Sequence, residues 1–242
     1  MDNARYTSDH LFHLVGRACP TDHEANYQTL LQVLDSECIS HPPHTSDWGA
    51  HQYTINWDEN IFTEKLIIPT VTCFCDIPLE HLQIHTKKYG LFGLSFPRDY
   101  LISYGARPVI YIPLQRNDHI SIIGRSFLHD LEQVWRGFRE HVVDANFEGT
   151  RTRTLGIQPN SSESAIAAVD DLFTQHFLAF IKPFDSELPD DHPDNYYLER
   201  EWRKYGNLRF QPHQVRRVLV AKEYVDRFKN DRPAYSNIIE AL

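Results

Sequence analysis

The densest concentration of reactive side chains lies between Tyr196 and Arg203. Read as a strand, alternation puts Tyr197, Glu199, Glu201 and Arg203 on one face, with Leu198, Arg200 and Trp202 on the other. Carboxylates two positions apart on a strand sit about 7 Å apart at the backbone. Such a pair can divide labour. One carboxylate is oriented by the arginine, and the other acts on a hydroxyl or stabilises developing positive charge. The same pattern equally describes a solvated strand face whose Glu and Arg pair with neighbouring strands, each pair worth under about 1 kcal/mol. At the level of residue types both readings stand.

Two further groups could join that chemistry. His13 sits inside the apolar run Leu11-Phe12-His13-Leu14-Val15, either as a buried hydrogen-bonding residue or as a ligand group at a strand end opening onto a cleft. Arg17, just past Gly16, would then reach an anionic group. His81 and His85 are four apart and would share a helix face, but no H-E-x-x-H pattern or acidic third ligand accompanies them, so no metal is expected. His85 and Tyr89 are read instead as positioning a glycine-containing strand, Tyr89 to Phe96. Cys73 and Cys75 alternate onto one side of a strand and are expected to be small buried hydrophobes. Arg136, Arg139, Arg151 and Arg153 are either one local basic groove or ordinary solvated charge.

The elements that must hold these groups in place follow from periodicity. A strand over 11–15 leads to a helix whose apolar residues fall at 27, 30, 31 and 34. A second strand spans Leu66 to Cys75, broken at Pro69, with Asp76 as the N-cap of a following helix. Pro97 to Ser103 is a short helix and Pro108 to Ile112 a strand. From Ser121 to Phe147, apolar residues at 123, 127, 131, 134, 135, 138 and 142 follow a 3.6-residue period. A polar loop through Ser161 separates it from a second helix, started by Asn160 with Glu163 and apolar at 166, 169, 173, 177 and 180. Closing strands at 196–203, 208–210 and 215–220 precede a helical tail from Glu223. The expectation is an α+β fold: a largely antiparallel sheet in one domain, 1–242, with a helical hairpin, 121–181, packed on it.

Composition narrows the function classes. The 242 residues carry 33 acids against 24 bases, a net charge of −9 that argues against non-specific affinity for nucleic acid or anionic lipid. No window approaches the roughly 18 apolar residues of a membrane helix, and the polar N-terminus lacks a signal-peptide h-region, so a cytoplasmic location is expected. There is no Walker A loop, no G-x-G-x-x-G opening a helix and no G-x-S-x-G elbow, which sets aside P-loop NTPase, Rossmann dehydrogenase and α/β-hydrolase chemistry.

Three blocks, taken in order, resemble a known family. They are Leu11-Phe12-His13; Val71 to Leu79 continuing through His85, Lys88-Tyr89-Gly90, Gly93-Leu94-Ser95 and Pro108-Val109-Ile110-Tyr111; and Glu199-Arg200-Glu201-Trp202-Arg203. The sequence resembles the AbiGi family of abortive phage-resistance proteins, which implies an antitoxin that binds a nucleotidyltransferase-like toxin. A fainter similarity is to the ADP-ribosyltransferase fold, which opens on a strand bearing His or Arg and ends on a strand carrying E-x-E. That similarity implies an NAD site in which His13 holds ribose or diphosphate and Glu201 stabilises an oxocarbenium-like transition state, beside Glu199, with Tyr89 stacking on nicotinamide. Three classes therefore stand: a defence component acting by protein contacts, an NAD-using transferase or glycohydrolase, and a nucleotide-binding sensor without turnover.

Overall fold

The computed structural model describes residues 8–40, 53–114, 121–143, 162–189, 192 and 195–242. The fold is α+β. In chain order the elements are β1 (His10–Leu14), α1 (His23–Ser36), β2 (Cys38–Ile39), β3 (Tyr53–Ile55), β4 (Ile67–Pro69), β5 (Val71–Cys75), α2 (Gln83–Tyr89), β6 (Gly93–Pro97), α3 (Arg98–Ser103), β7 (Arg107–Pro108) and β8 (Ile110–Leu114). They continue as α4 (Ser121–Phe138), α5 (Ser162–Asp171), β9 (Ile181–Asp185), β10 (Glu201–Tyr205), β11 (Leu208–Arg209), β12 (Arg217–Val220), α6 (Val225–Asp231) and β13 (Ile239–Ala241).

Contacts group the chain into two compact units, one of Met1–His51, Thr70–Val109 and Pro189–Leu242, the other of Gln52–Pro69 and Ile110–Leu188. The first holds a seven-stranded sheet in the order β13-β12-β6-β1-β5-β10-β7. Every pairing in it is antiparallel except β12 with β13. The period-2 alternation of its strands makes two different faces. Leu11, Phe74, Leu94, Phe96, Val218 and Val220 join Tyr27, Leu30 and Leu34 of α1 in one apolar cluster. The predicted helical stripe of α1 is therefore the one that packs, and Asp22 caps it by accepting from the Ala25 N–H at 3.0 Å. The opposite face gathers Phe12, Cys75 and Leu219 with Ile77 and Leu82.

The second unit pairs β3 with β4 antiparallel and β8 with β9 parallel. Its apolar cluster joins Ile61, Leu66 and Ile67 to Leu128 and Trp135 of α4, with Leu178 and Ile181. A buried ion pair, Arg139 to Asp170 at 2.8 Å, ties the end of α4 to α5, and Arg139 also donates to the Tyr53 hydroxyl. The buried Trp135 Nε1–H donates to Thr174.

Several expectations are corrected here. Helix α4 and the helical residues 162–180 lie in the second unit, where Leu128, Trp135 and Leu178 enter that unit's own cluster. Their stripes are only partly used, since Phe127, Val134 and Val169 are exposed. The helical end 139–143 and the segment 172–177 are π-helical, a widening that breaks the 3.6-residue register. Arg136 and Arg139 form no groove: the first binds Glu132 at 2.7 Å and the second is buried against Asp170. Arg151, Arg153, the loop before Ser161 and the Asn160 cap lie outside the described residues. Asp76 caps no helix; Pro78 opens the turn Leu79–His81, which precedes α2. Tyr89 ends α2 rather than starting a strand, because Gly90 at φ 83° turns the chain before β6. The tail from Glu223 is helical through α6 but closes as β13.

Gly93 is required by close approach. A Cβ there would stand 2.3 Å from the His13 carbonyl oxygen, a backbone atom that cannot move without opening the β1–β6 pairing. Gly93→Ala should cost on the order of 1–3 kcal/mol in urea unfolding, as overpacking does. An unchanged midpoint would show that the two strands are further apart than this.

Candidate functional site

The Tyr196–Arg203 segment is not one strand. Tyr197–Glu199 forms a 3-10 turn, Arg200 adopts the left-handed conformation at φ 44°, and only then does β10 begin at Glu201. A non-glycine residue held there stores about 1–3 kcal/mol of strain and persists where its surroundings over-determine it. The surroundings here are specific. The Arg200 carbonyl accepts from the Asp76 N–H at 3.2 Å, and the buried Asp76 carboxylate accepts from the Ser8 N–H at 3.0 Å and from Arg98 at 2.9 Å. Arg98 also donates to the Ser8 carbonyl. The end of β5, the start of β1 and the turn before β10 thus meet on one carboxylate.

The left-handed step sends the two glutamates to different partners. Glu199 Oε1 accepts from the Tyr89 hydroxyl at 2.5 Å and from Lys88 Nζ at 2.7 Å. Lys88 Nζ also lies 3.9 Å from the centre of the Tyr196 ring, a cation–π contact. Glu201 instead pairs with Arg203, Oε1 to Nε at 2.7 Å, along its own strand. Glu199, Glu201 and Arg203 are all buried. Both carboxylates act on Tyr89: burial first, then Glu199, then more weakly Glu201 push its phenol pKa up, while Arg17 opposes them. Burial, followed by the charges of Glu199 and Asp76, pushes the Cys75 thiol up to about 12 and keeps it an inert apolar group.

His85 completes the cluster from one turn back on α2. Its ring stacks on Tyr89 at 6.3 Å, and neither buried ring nitrogen has a hydrogen-bond partner among the described residues. Burial lowers its pKa; Glu199 works against that and Lys88 with it, so the imidazole is held neutral. His85, Lys88 and Tyr89, spaced i, i+3 and i+4, share one helix face. The sequence pattern alone does not single out Lys88 as a site residue, because it places Tyr89 at the start of a strand. Helical spacing running on from His85 was the signal that could have found it. His81 is exposed in the preceding turn and does not share a helix face with His85. Among the described residues no group of three His, Cys, Asp or Glu could hold a metal ion.

The structure separates His13 from the carboxylates. Phe12 and Glu201 are both registered opposite Cys75, which puts all three side chains on one face of the sheet. His13, one residue on, projects from the other face, where its ring meets Phe74 and its Nδ1 lies 2.8 Å from the Cys73 carbonyl oxygen. His13 and Glu201 therefore project from opposite faces of this sheet. The physical reason is the alternation itself: no single-residue neighbour of Phe12 can share its face. Arg17 is exposed, and Tyr197 is 53% exposed beside the turn rather than facing Glu201. What the site can do chemically is limited by this pairing, since each carboxylate is already countered by a cation.

Comparison with known proteins gives one match. A family model described as "Putative abortive phage resistance protein AbiGi, antitoxin" matches residues 50–237. No curated protein and no solved structure matches.

Two outcomes follow from the buried charges. Removing Arg203 as Arg203→Met leaves Glu201 buried without its closest cation and should cost about 3–5 kcal/mol, while Glu201→Met with Arg203→Met should recover most of that loss. Urea unfolding of the four-member cycle measures it, and a double-variant loss equal to the sum of the two single losses would deny the coupling. His85 sets a pH dependence. The unfolded chain takes up a proton near pH 6.5 whereas the folded chain resists it, so the unfolded state binds more protons and stability falls as pH drops below about 6.5. His85→Phe should flatten that part of the stability–pH curve; a slope identical to that of the unsubstituted chain would remove His85 as its source.

Proposed function

The chain belongs to the AbiGi family, whose members are of the phage-resistance, antitoxin type, and on that premise we propose that it acts by binding and restraining a partner toxin through protein contacts. The observation that carries this reading is the family match across 188 of the 242 residues, which takes in β3 through α6 and both candidate clusters. The site geometry agrees with it. Glu199 and Glu201 are occupied by Lys88, Tyr89 and Arg203 in the interior, which is the arrangement of groups holding a scaffold together. The net charge of −9 suits a partner with a basic, nucleic-acid-handling surface, since complementary charge speeds and orients encounter. Among the described residues no helix is long and apolar enough to cross a membrane.

The catalytic and sensor alternatives both relied on His13 and the two carboxylates lining one NAD or nucleotide cleft. His13 and Glu201 project from opposite faces of the sheet, which favours the protein-contact reading over these two.

The test is co-expression with the toxin from the same defence locus. Growth arrested by the toxin should be restored by this chain, and the two should co-purify as a stoichiometric complex. Toxicity undiminished at equal expression would refute the antitoxin reading. Release of nicotinamide from NAD by the purified chain, lost in Glu201→Gln, would return the function to an enzyme.

A further inference from the structure

Helix α4 carries two apolar stripes, one sealed in the core of its unit and one left partly in water. Leu128 and Trp135 point into the core and are fully buried. Phe127, Leu131, Val134 and Phe138, at spacings of four, three and four, form a second stripe along the same helix. Phe127 is exposed and Val134 is 59% exposed. The segment beginning with α5 adds Val169, exposed, and Leu172, 57% exposed, and the rings of Phe138 and Phe173 meet at 6.2 Å to join the two stripes. Leu131 and Phe138 are half-buried, Leu131 against the unit's own cluster, so the exposed part of the patch is Phe127, Val134, Val169 and Leu172, and contiguous exposed apolar patches of this kind mark interaction sites.

The charge around the patch says what kind of partner fits. The second unit contains 14 Asp and Glu against 8 Lys and Arg, a net charge of −6 out of the chain's −9. Asp130 on α4 and Glu140 in the π-helical segment that follows it are both exposed. Two copies of this chain meeting through the stripe would bring acidic borders together, which like-charge repulsion opposes.

We propose that the stripe of Phe127, Leu131, Val134 and Phe138 with Val169 and Leu172 is the surface that holds the partner, a protein presenting an apolar ridge bordered by lysine and arginine. This rests on the antitoxin reading and deepens it by assigning the contact to the second unit. The apolar centre, once desolvated, supplies affinity, and the acidic border supplies orientation and rate.

The experiment uses the full chain and the co-expressed toxin. Val134→Glu with Leu172→Glu places charge in the centre of the stripe; Ile102→Glu, an equally exposed apolar residue of the first unit, is the matched control. The double variant should bind at least about tenfold more weakly by calorimetry, about 1.4 kcal/mol, and lose neutralisation. The control should stay within about twofold, and circular dichroism should show both folded. Affinity of the unsubstituted chain should fall as salt rises. Unchanged toxin binding by the folded double variant overturns the proposal. So does a dimer of the unsubstituted chain that the double variant dissociates while toxin binding persists, which would make a second copy the occupant. Failure of the unsubstituted chain to bind toxin at all is read in a separate arm, and it sinks the antitoxin reading together with this surface.

Discussion

The pairing of β10 with β5 is the constraint on which the rest of the first unit depends. Its register, Glu201 opposite Cys75 and Arg203 opposite Cys73, decides which side chains share a face of the sheet. It also fixes the geometry just before β10, because the Asp76 N–H that follows β5 must find an acceptor, and it finds the Arg200 carbonyl. Arg200 can offer that carbonyl from a left-handed conformation that bends the chain away from β5. The bend then delivers Glu199 to Lys88 and Tyr89 instead of leaving it beside Glu201.

That one redirection accounts for the character of the cluster. Two glutamates on a continuous strand would confront each other across about 7 Å and one would be driven toward protonation. Separated by the turn, each takes its own cation. A buried carboxylate matched by an arginine or lysine is weakly stabilising at best, yet it is expensive to disrupt, so such pairs enforce one arrangement more than they deepen it. His85 is the exception within the cluster, a neutral imidazole enclosed without a hydrogen-bond partner among the described residues. Its place on α2, stacked on the tyrosine that holds Glu199, makes it the group most sensitive to any change in the packing of that helix.

The second unit is organised differently. Its centre is an aromatic and ionic lattice in which Trp135, Arg139, Asp170, Tyr53 and Thr174 are hydrogen-bonded to one another. This lattice takes up one face of α4 and leaves Phe127 and Val134 of the other to solvent. The sequence period predicted a single broad apolar side for that helix, and the residues at 127 and 134 that extend it are the ones left outside. An apolar period reports that a helix will be covered, without saying by what.

What the sequence by itself determined is the set of elements and the family: β1, α1, β5, α3 and β12 follow directly from alternation and helical period, and the ordered blocks from Val71 to Arg203 carry the resemblance that the match over 50–237 bears out. These are legible because they depend on neighbours a few residues away. Only the tertiary structure decided that His13 and Glu201 lie on opposite faces, that Glu199 turns to Lys88, and that the residues divide into two units. Each of these depends on register between segments about 60 to 190 residues apart and on one left-handed residue, Arg200, whose conformation no local preference favours.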